Sequence, residues 1–128
     1  MISKAFPCIS LLLLLTSCYQ PERDCTAFKD GEFSFSSTIN GKDVSTTFVR
    51  LGGLEVDYFE GKADSSSVRW INDCEYIVKK LNPNSKAEEK AVHMKILSTT
   101  DKSYTFEYSI VGESQKSRGT AVLVGNGE

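Results

Sequence analysis

The sequence is poor in the residues and spacings that carry most enzyme chemistry. It has a single histidine, His93, so a paired-histidine metal site is excluded. No Gly-x-Ser-x-Gly elbow and no Gly-x-x-x-x-Gly-Lys loop occurs, which removes the signatures of an α/β-hydrolase nucleophile and of a phosphate-cradling P-loop. Its four cysteines contain no Cys-x-x-Cys pair, so the spacing of a thioredoxin-like redox site is missing. No apolar run reaches the roughly 20 residues that a membrane-spanning helix needs. Basic residues are scattered and outnumbered, 15 against 17 acidic ones, and without clustered Lys and Arg a nucleic-acid partner is excluded.

What is present at the start is a short address. Lys4 precedes an apolar stretch, densest at Leu11 to Leu15, that ends in Leu15-Thr16-Ser17-Cys18. A positive n-region, an apolar h-region of about 7–15 residues and small residues at the cut describe a secretory leader. With leucine, two small residues and then cysteine, the stretch resembles a bacterial lipoprotein signal. That implies a leader at 1–17 and acylation of Cys18, with palmitate-type chains, as the first mature residue. Each buried methylene contributes ~0.8 kcal/mol, so two or more chains make a stable anchor. The expected localisation is the cell envelope. Tyr19 follows the acylated cysteine, so the aspartate retention cue is absent and the outer membrane is favoured over the inner.

Removing the leader takes Lys4 and Cys8 with it. The mature chain then keeps 14 of the 15 basic residues against 17 acidic ones, about −3 at neutral pH. Acylation uses Cys18, leaving Cys25 and Cys74, which an oxidising envelope should pair. A redox or metal pair is the rival reading, but no histidine lies near either cysteine in sequence. Residues 18–24 form the tether, which at ~3.3–3.6 Å per residue reaches at most about 25 Å. The domain should therefore sit close to the bilayer.

Residues 25–125 read as one domain. Turn signals recur at Asn40-Gly41, Gly52-Gly53, Gly61 to Asp64, Asn72-Asp73, Asn82-Pro83-Asn84, Thr100 to Lys102 and Gly112 to Gly119. Spacings near 8–12 residues suggest an all-β barrel or sandwich. Between the turns, apolar residues alternate: Phe33 and Phe35; Leu54, Val56 and Tyr58; Val92, Met94 and Ile96; Tyr104, Phe106, Tyr108 and Ile110. Period 2 sets each group on one face of a strand. The connections are too short for parallel crossovers. The expectation is an all-β fold, a small antiparallel up-and-down, lipocalin-like barrel of about eight strands, with a two-sheet sandwich as the alternative. Ser85 to Glu88 has capping-box spacing, so a turn or two of surface helix competes there with a solvated loop.

Few residues suggest chemistry. His93 falls opposite the Val92/Met94/Ile96 face, as a solvated side chain would. Glu55 and Asp57 share a face, and Asp73 and Glu75 flank Cys74; each pair is read as the polar side of a strand or turn. No catalytic residue, metal ligand or cofactor is assigned. The aromatic set Trp70, Tyr76, Tyr104, Phe106 and Tyr108 is the candidate ligand pocket, with filled core as the competing reading, because an eight-stranded barrel has just room for its own side chains.

The stretch Trp70-Ile71-Asn72-Asp73-Cys74-Glu75-Tyr76, with Cys25 and the Gly31/Phe33 strand after it, resembles a group of small Bacteroidota-type lipoproteins. Some of these bear a topoisomerase label, which an acidic exported domain without an ATP site does not match. The resemblance supports the Cys25–Cys74 pairing and leaves function open. The resulting expectation is a non-enzymatic, lipid-anchored binding or accessory module, taking a small apolar ligand inside or an envelope protein at its rim. The alternative is a protein-inhibitor or structural envelope factor, with an architecture like that of the lysozyme-inhibitor lipoproteins and Gly112 to Gly119 as its contact loop.

Overall fold

Cross-strand pairing fixes which residues this chain buries. The computed structural model describes residues 23–39 and 41–126; the leader, Cys18 and Asn40 lie outside the described residues. Eight antiparallel strands follow one another around a closed barrel: β1 (Gly31–Ile39), β2 (Lys42–Leu51), β3 (Leu54–Phe59), β4 (Lys62–Asn72), β5 (Glu75–Lys80), β6 (Val92–Thr99), β7 (Ser103–Ile110) and β8 (Ser117–Gly125). β8 returns to β1 through Phe33↔Leu123 and Phe35↔Ala121, so closure leaves no sheet edge to aggregate. The up-and-down barrel is thus the architecture, and the sandwich is excluded.

Directly paired residues point to the same face, so one buried residue sets the face of its whole ring of partners. Phe33 is buried and pairs with Phe48. Two steps along β2 from Phe48 stands Arg50, which pairs with Glu55 of β3. The register between β2 and β3 is held by the two-residue Gly52-Gly53 turn, both residues at positive φ (58° and 83°), the primed hairpin geometry that glycine adopts without strain. Further round, Trp70 pairs with Tyr76, Tyr76 with Met94, Met94 with Tyr108, Ile96 with Phe106 and Tyr104 with Ala121. All these face inward.

This parity overturns one expectation. On β3 the apolar residues face out and the acidic ones face in: Leu54 and Tyr58 are 42% and 49% exposed, whereas Glu55 is 8% exposed. The alternation was correct, but both sides of the hairpin carry an apolar series. Val49, Leu51, Leu54, Val56 and Tyr58 would form one face and Phe48 with its neighbours the other. The β1 phenylalanines decide between them.

One end of the barrel is plugged. A single 3-10 turn, Cys25–Phe28, tucks Phe28 onto Phe33 and Tyr104, with ring centroids 6.5 and 5.3 Å apart. Cys25 is disulfide-bonded to Cys74 in the β4–β5 turn. At the opposite end, residues 81–91 fold over part of the rim. Ser85 to Lys90 forms turns rather than a helix, Ser85 Oγ accepting from the Glu88 amide at 3.2 Å.

Candidate functional site

The interior divides into a filled half and an open half. Arg50 lies at the boundary, 0% exposed. Its Nε donates to the Lys29 carbonyl at 2.8 Å and its Nη2 to the Phe28 carbonyl, so the guanidinium fastens the plug to the barrel wall. Nη1 donates to Glu55 Oε1 at 3.1 Å and to the Tyr76 hydroxyl at 3.2 Å; the Tyr104 hydroxyl accepts at 3.4 Å from Nη2. Five rings surround the guanidinium, with centroids 4.8–5.9 Å from Cζ: Phe33, Phe48, Trp70, Tyr76 and Tyr104. Such faces attract a desolvated cation through the ring quadrupole.

Burial alone would pull the Arg50 pKa down, but Tyr76, Tyr104 and the Glu55 carboxylate outweigh it and hold the group above the ordinary guanidinium range. Burial raises the Glu55 pKa against the opposing pull of Arg50. Burial also puts the Tyr76 phenol well above its usual value, so it stays a neutral hydroxyl that accepts from Arg50.

The aromatic candidates therefore do two different jobs. Trp70, Tyr76 and Tyr104 belong to the cage around Arg50; Trp70 packs tilted against Tyr76, ring centroids 4.4 Å apart, and takes no part in the open cavity's wall. Phe106 and Tyr108, their centroids 5.8 Å apart, continue upward into a cavity of about 270 Å³ that opens at the rim. Phe35, Phe48, Thr46 and Met94 complete its sides, Tyr76 and Tyr104 separate it from the Arg50 cage, and Glu55 and Asp57 line the β3 side. β8 comes close where Gly119 faces the rings: a Cβ there would lie 2.5 Å from Phe35 Cε2 and 2.9 Å from Phe106 Cζ.

Asp57 is the unusual member. Burial, then the neighbouring Glu55 and Asp64 carboxylates, raise its pKa to about 7, with Lys80 and Arg50 opposing. Because the folded value lies above the unfolded one, near ~4, the folded state binds the extra proton, and Asp57 costs stability as pH rises from about 4 to 7. The fold keeps a carboxylate that weakens it at neutral pH. Strongly shifted groups of this kind concentrate in binding and catalytic sites.

The other sequence candidates lie elsewhere. His93 is on the outer surface, its Nε2 3.1 Å from Glu75 Oε1. A hydrogen bond from Asn72 holds the Glu75 carboxyl below its usual range, with His93 adding to it. Asp73 pairs with Lys29 at 3.2 Å beside the disulfide. Among the described residues no group of three or more His, Cys, Asp or Glu is placed to hold a metal.

Sequence reasoning missed Arg50, Glu55 and Asp57 as interior residues. The usable signal was the spacing of Thr46, Phe48 and Arg50 on one strand face, read together with the Gly-Gly turn that places Arg50 opposite Glu55. Comparisons with protein-family models, with curated proteins and with solved structures find nothing that matches this chain.

Proposed function

We propose that this chain is a lipid-anchored envelope protein whose barrel captures a small organic ligand without transforming it. The observation that carries this reading is the open cavity of about 270 Å³ above a plugged floor, aromatic on most sides and polar at defined points. Preformed clefts of that lining are the usual form of small-molecule sites. Binding is favoured over catalysis because Glu55 is committed to Arg50 and the wall offers no nucleophile paired with a base. The leader pattern ending at Cys18 supports the anchor, and the Cys25–Cys74 bond fits an oxidising compartment. The described chain enters at the plugged end, where Arg23 Nη1 donates to the Ile96 carbonyl. A lipid on Cys18 would thus turn the plug toward the bilayer and the cavity mouth away from it.

Titration with the neutral naphthalene dye prodan tests capture. Saturable binding is expected, weakened at least 10-fold by Gly119→Ala, whose methyl group pushes Phe35 and Phe106 into the cavity. Overpacking of this kind also costs about 1–3 kcal/mol of stability. Val122→Ala, on the outer face, should leave the affinity unchanged. No saturable binding, or equal binding by Gly119→Ala, would overturn the reading.

A further inference from the structure

The charges in the cavity wall point to the chemistry of what it holds. We infer that the cavity receives a small organic cation, an ammonium or guanidinium group on a compact apolar body, with Asp57 as its counter-ion. This inference rests on the capture reading and names its ligand class.

Both charged residues in the cavity wall, Glu55 and Asp57, are acidic. Glu55 is answered from below by Arg50, at 3.1 Å. Asp57 has no basic partner; its carboxyl shares a hydrogen bond with Glu55, and that bond needs a proton. The charged groups that act on it most are Glu55 on its own strand, Asp64 on β4, Lys80 on β5 and Arg50 on β2, two of them of its own sign. Lys62 on β4 and Glu88 and Lys90 beyond β5 line clefts it shares. Arg50 is engaged by Glu55 and two plug carbonyls, and Lys80 is engaged by Asp64 at 2.8 Å and by Glu88. No basic side chain forms an ion pair with Asp57 among the described residues, so once Asp57 gives up its proton the cavity wall carries a carboxylate with no cation against it.

The protein already displays the same recognition one layer down. There a guanidinium sits among five ring faces, two tyrosine hydroxyls and a carboxylate. Phe35, Phe106 and Tyr108 extend that aromatic surface into the open half, and Met94 adds a polarisable thioether. A neutral ligand would cover Asp57 without compensating its charge. A carboxylate ligand would place a third negative charge beside two others. The volume, about 270 Å³, lies just under the usual range for drug-sized ligands and suits a single-ring amine rather than a lipid.

Competition against bound prodan tests the inference with three ligands of one shape: 2-phenylethylammonium, 2-phenylethanol and phenylacetate. The ammonium should displace the dye at least 10-fold more effectively than the alcohol, and phenylacetate should not displace it. This wild-type series needs no variant. Asp57→Asn should weaken the ammonium at least 10-fold while leaving the alcohol within about twofold. With Asp57 titrating near 7, wild-type affinity for the ammonium should rise roughly 30-fold from pH 5.5 to 8, and Asp57→Asn should flatten that profile. Dye that binds but is displaced equally by alcohol and ammonium overturns the cation assignment and leaves capture standing. Dye that does not bind overturns both.

Discussion

Arg50→Met should destabilise the barrel by about 3–5 kcal/mol in urea unfolding at neutral pH, the cost of breaking a buried pair from one side. The loss is large because three partners are orphaned together. Glu55 keeps a buried charge without its cation, and the carbonyls of Phe28 and Lys29 lose their donors. Against a typical total of about 5–15 kcal/mol, such a loss threatens folding itself. The double variant Arg50→Met/Glu55→Gln should recover part of it, since the orphaned charge is then gone. Arg50→Lys should not rescue, because an ammonium cannot reach two carbonyls, a carboxylate and two hydroxyls from one planar fork. A loss below about 1 kcal/mol for Arg50→Met would show that the guanidinium does not hold the plug.

Removing the disulfide should cost nearly as much. Cys25 and Cys74 are 49 positions apart, and in the chain-entropy model closing a loop of that size stabilises by roughly 4 kcal/mol. The Cys25→Ser/Cys74→Ser variant should therefore unfold at clearly lower urea concentration, with the change reproduced by reducing the wild-type protein. Both Arg50 and the disulfide tether the same 3-10 turn, so their effects should not add. Once the plug is detached by one change, the other has less to hold. Hydrogen exchange should speed up at the amides around Phe28 before the β1–β2 ladder opens. Equal stability of oxidised and reduced protein would remove the disulfide from the account.

The sequence made the barrel legible because alternation and turn spacing are local signals. Tyr104, Phe106 and Tyr108 carry their face on a single strand, and the count of short antiparallel strands follows from the turns. Cys25 and Cys74, paired in the sequence reading, form the bond that the structure contains. The site was less legible, for a physical reason. Period 2 reveals that a strand has two faces and does not say which is inside when both are apolar. On β3 that choice is made by Phe33 through Phe48 and the Gly52-Gly53 turn, a chain of pairings across three strands. Glu55 and Asp57, read as polar surface, went inside with it. The aromatic set shows the same limit. Its five members do share the interior, yet their heights in the barrel divide them, and height depends on strand stagger. Trp70 was therefore grouped with Phe106 although it belongs to the cage around Arg50 at the plugged end.

The central claim is that the upper half of this barrel is open and receives a ligand while the lower half is filled. Met94 lines the open cavity, and a methyl-labelled methionine spectrum reports on it directly. On titration with 2-phenylethylammonium, the Met94 resonance should shift progressively and saturate, while amide signals of Cys25 and Phe28 in the plug stay in place. A Met94 signal that does not move, with shifts confined to the outer apolar face around Leu54 and Tyr58, would contradict the account.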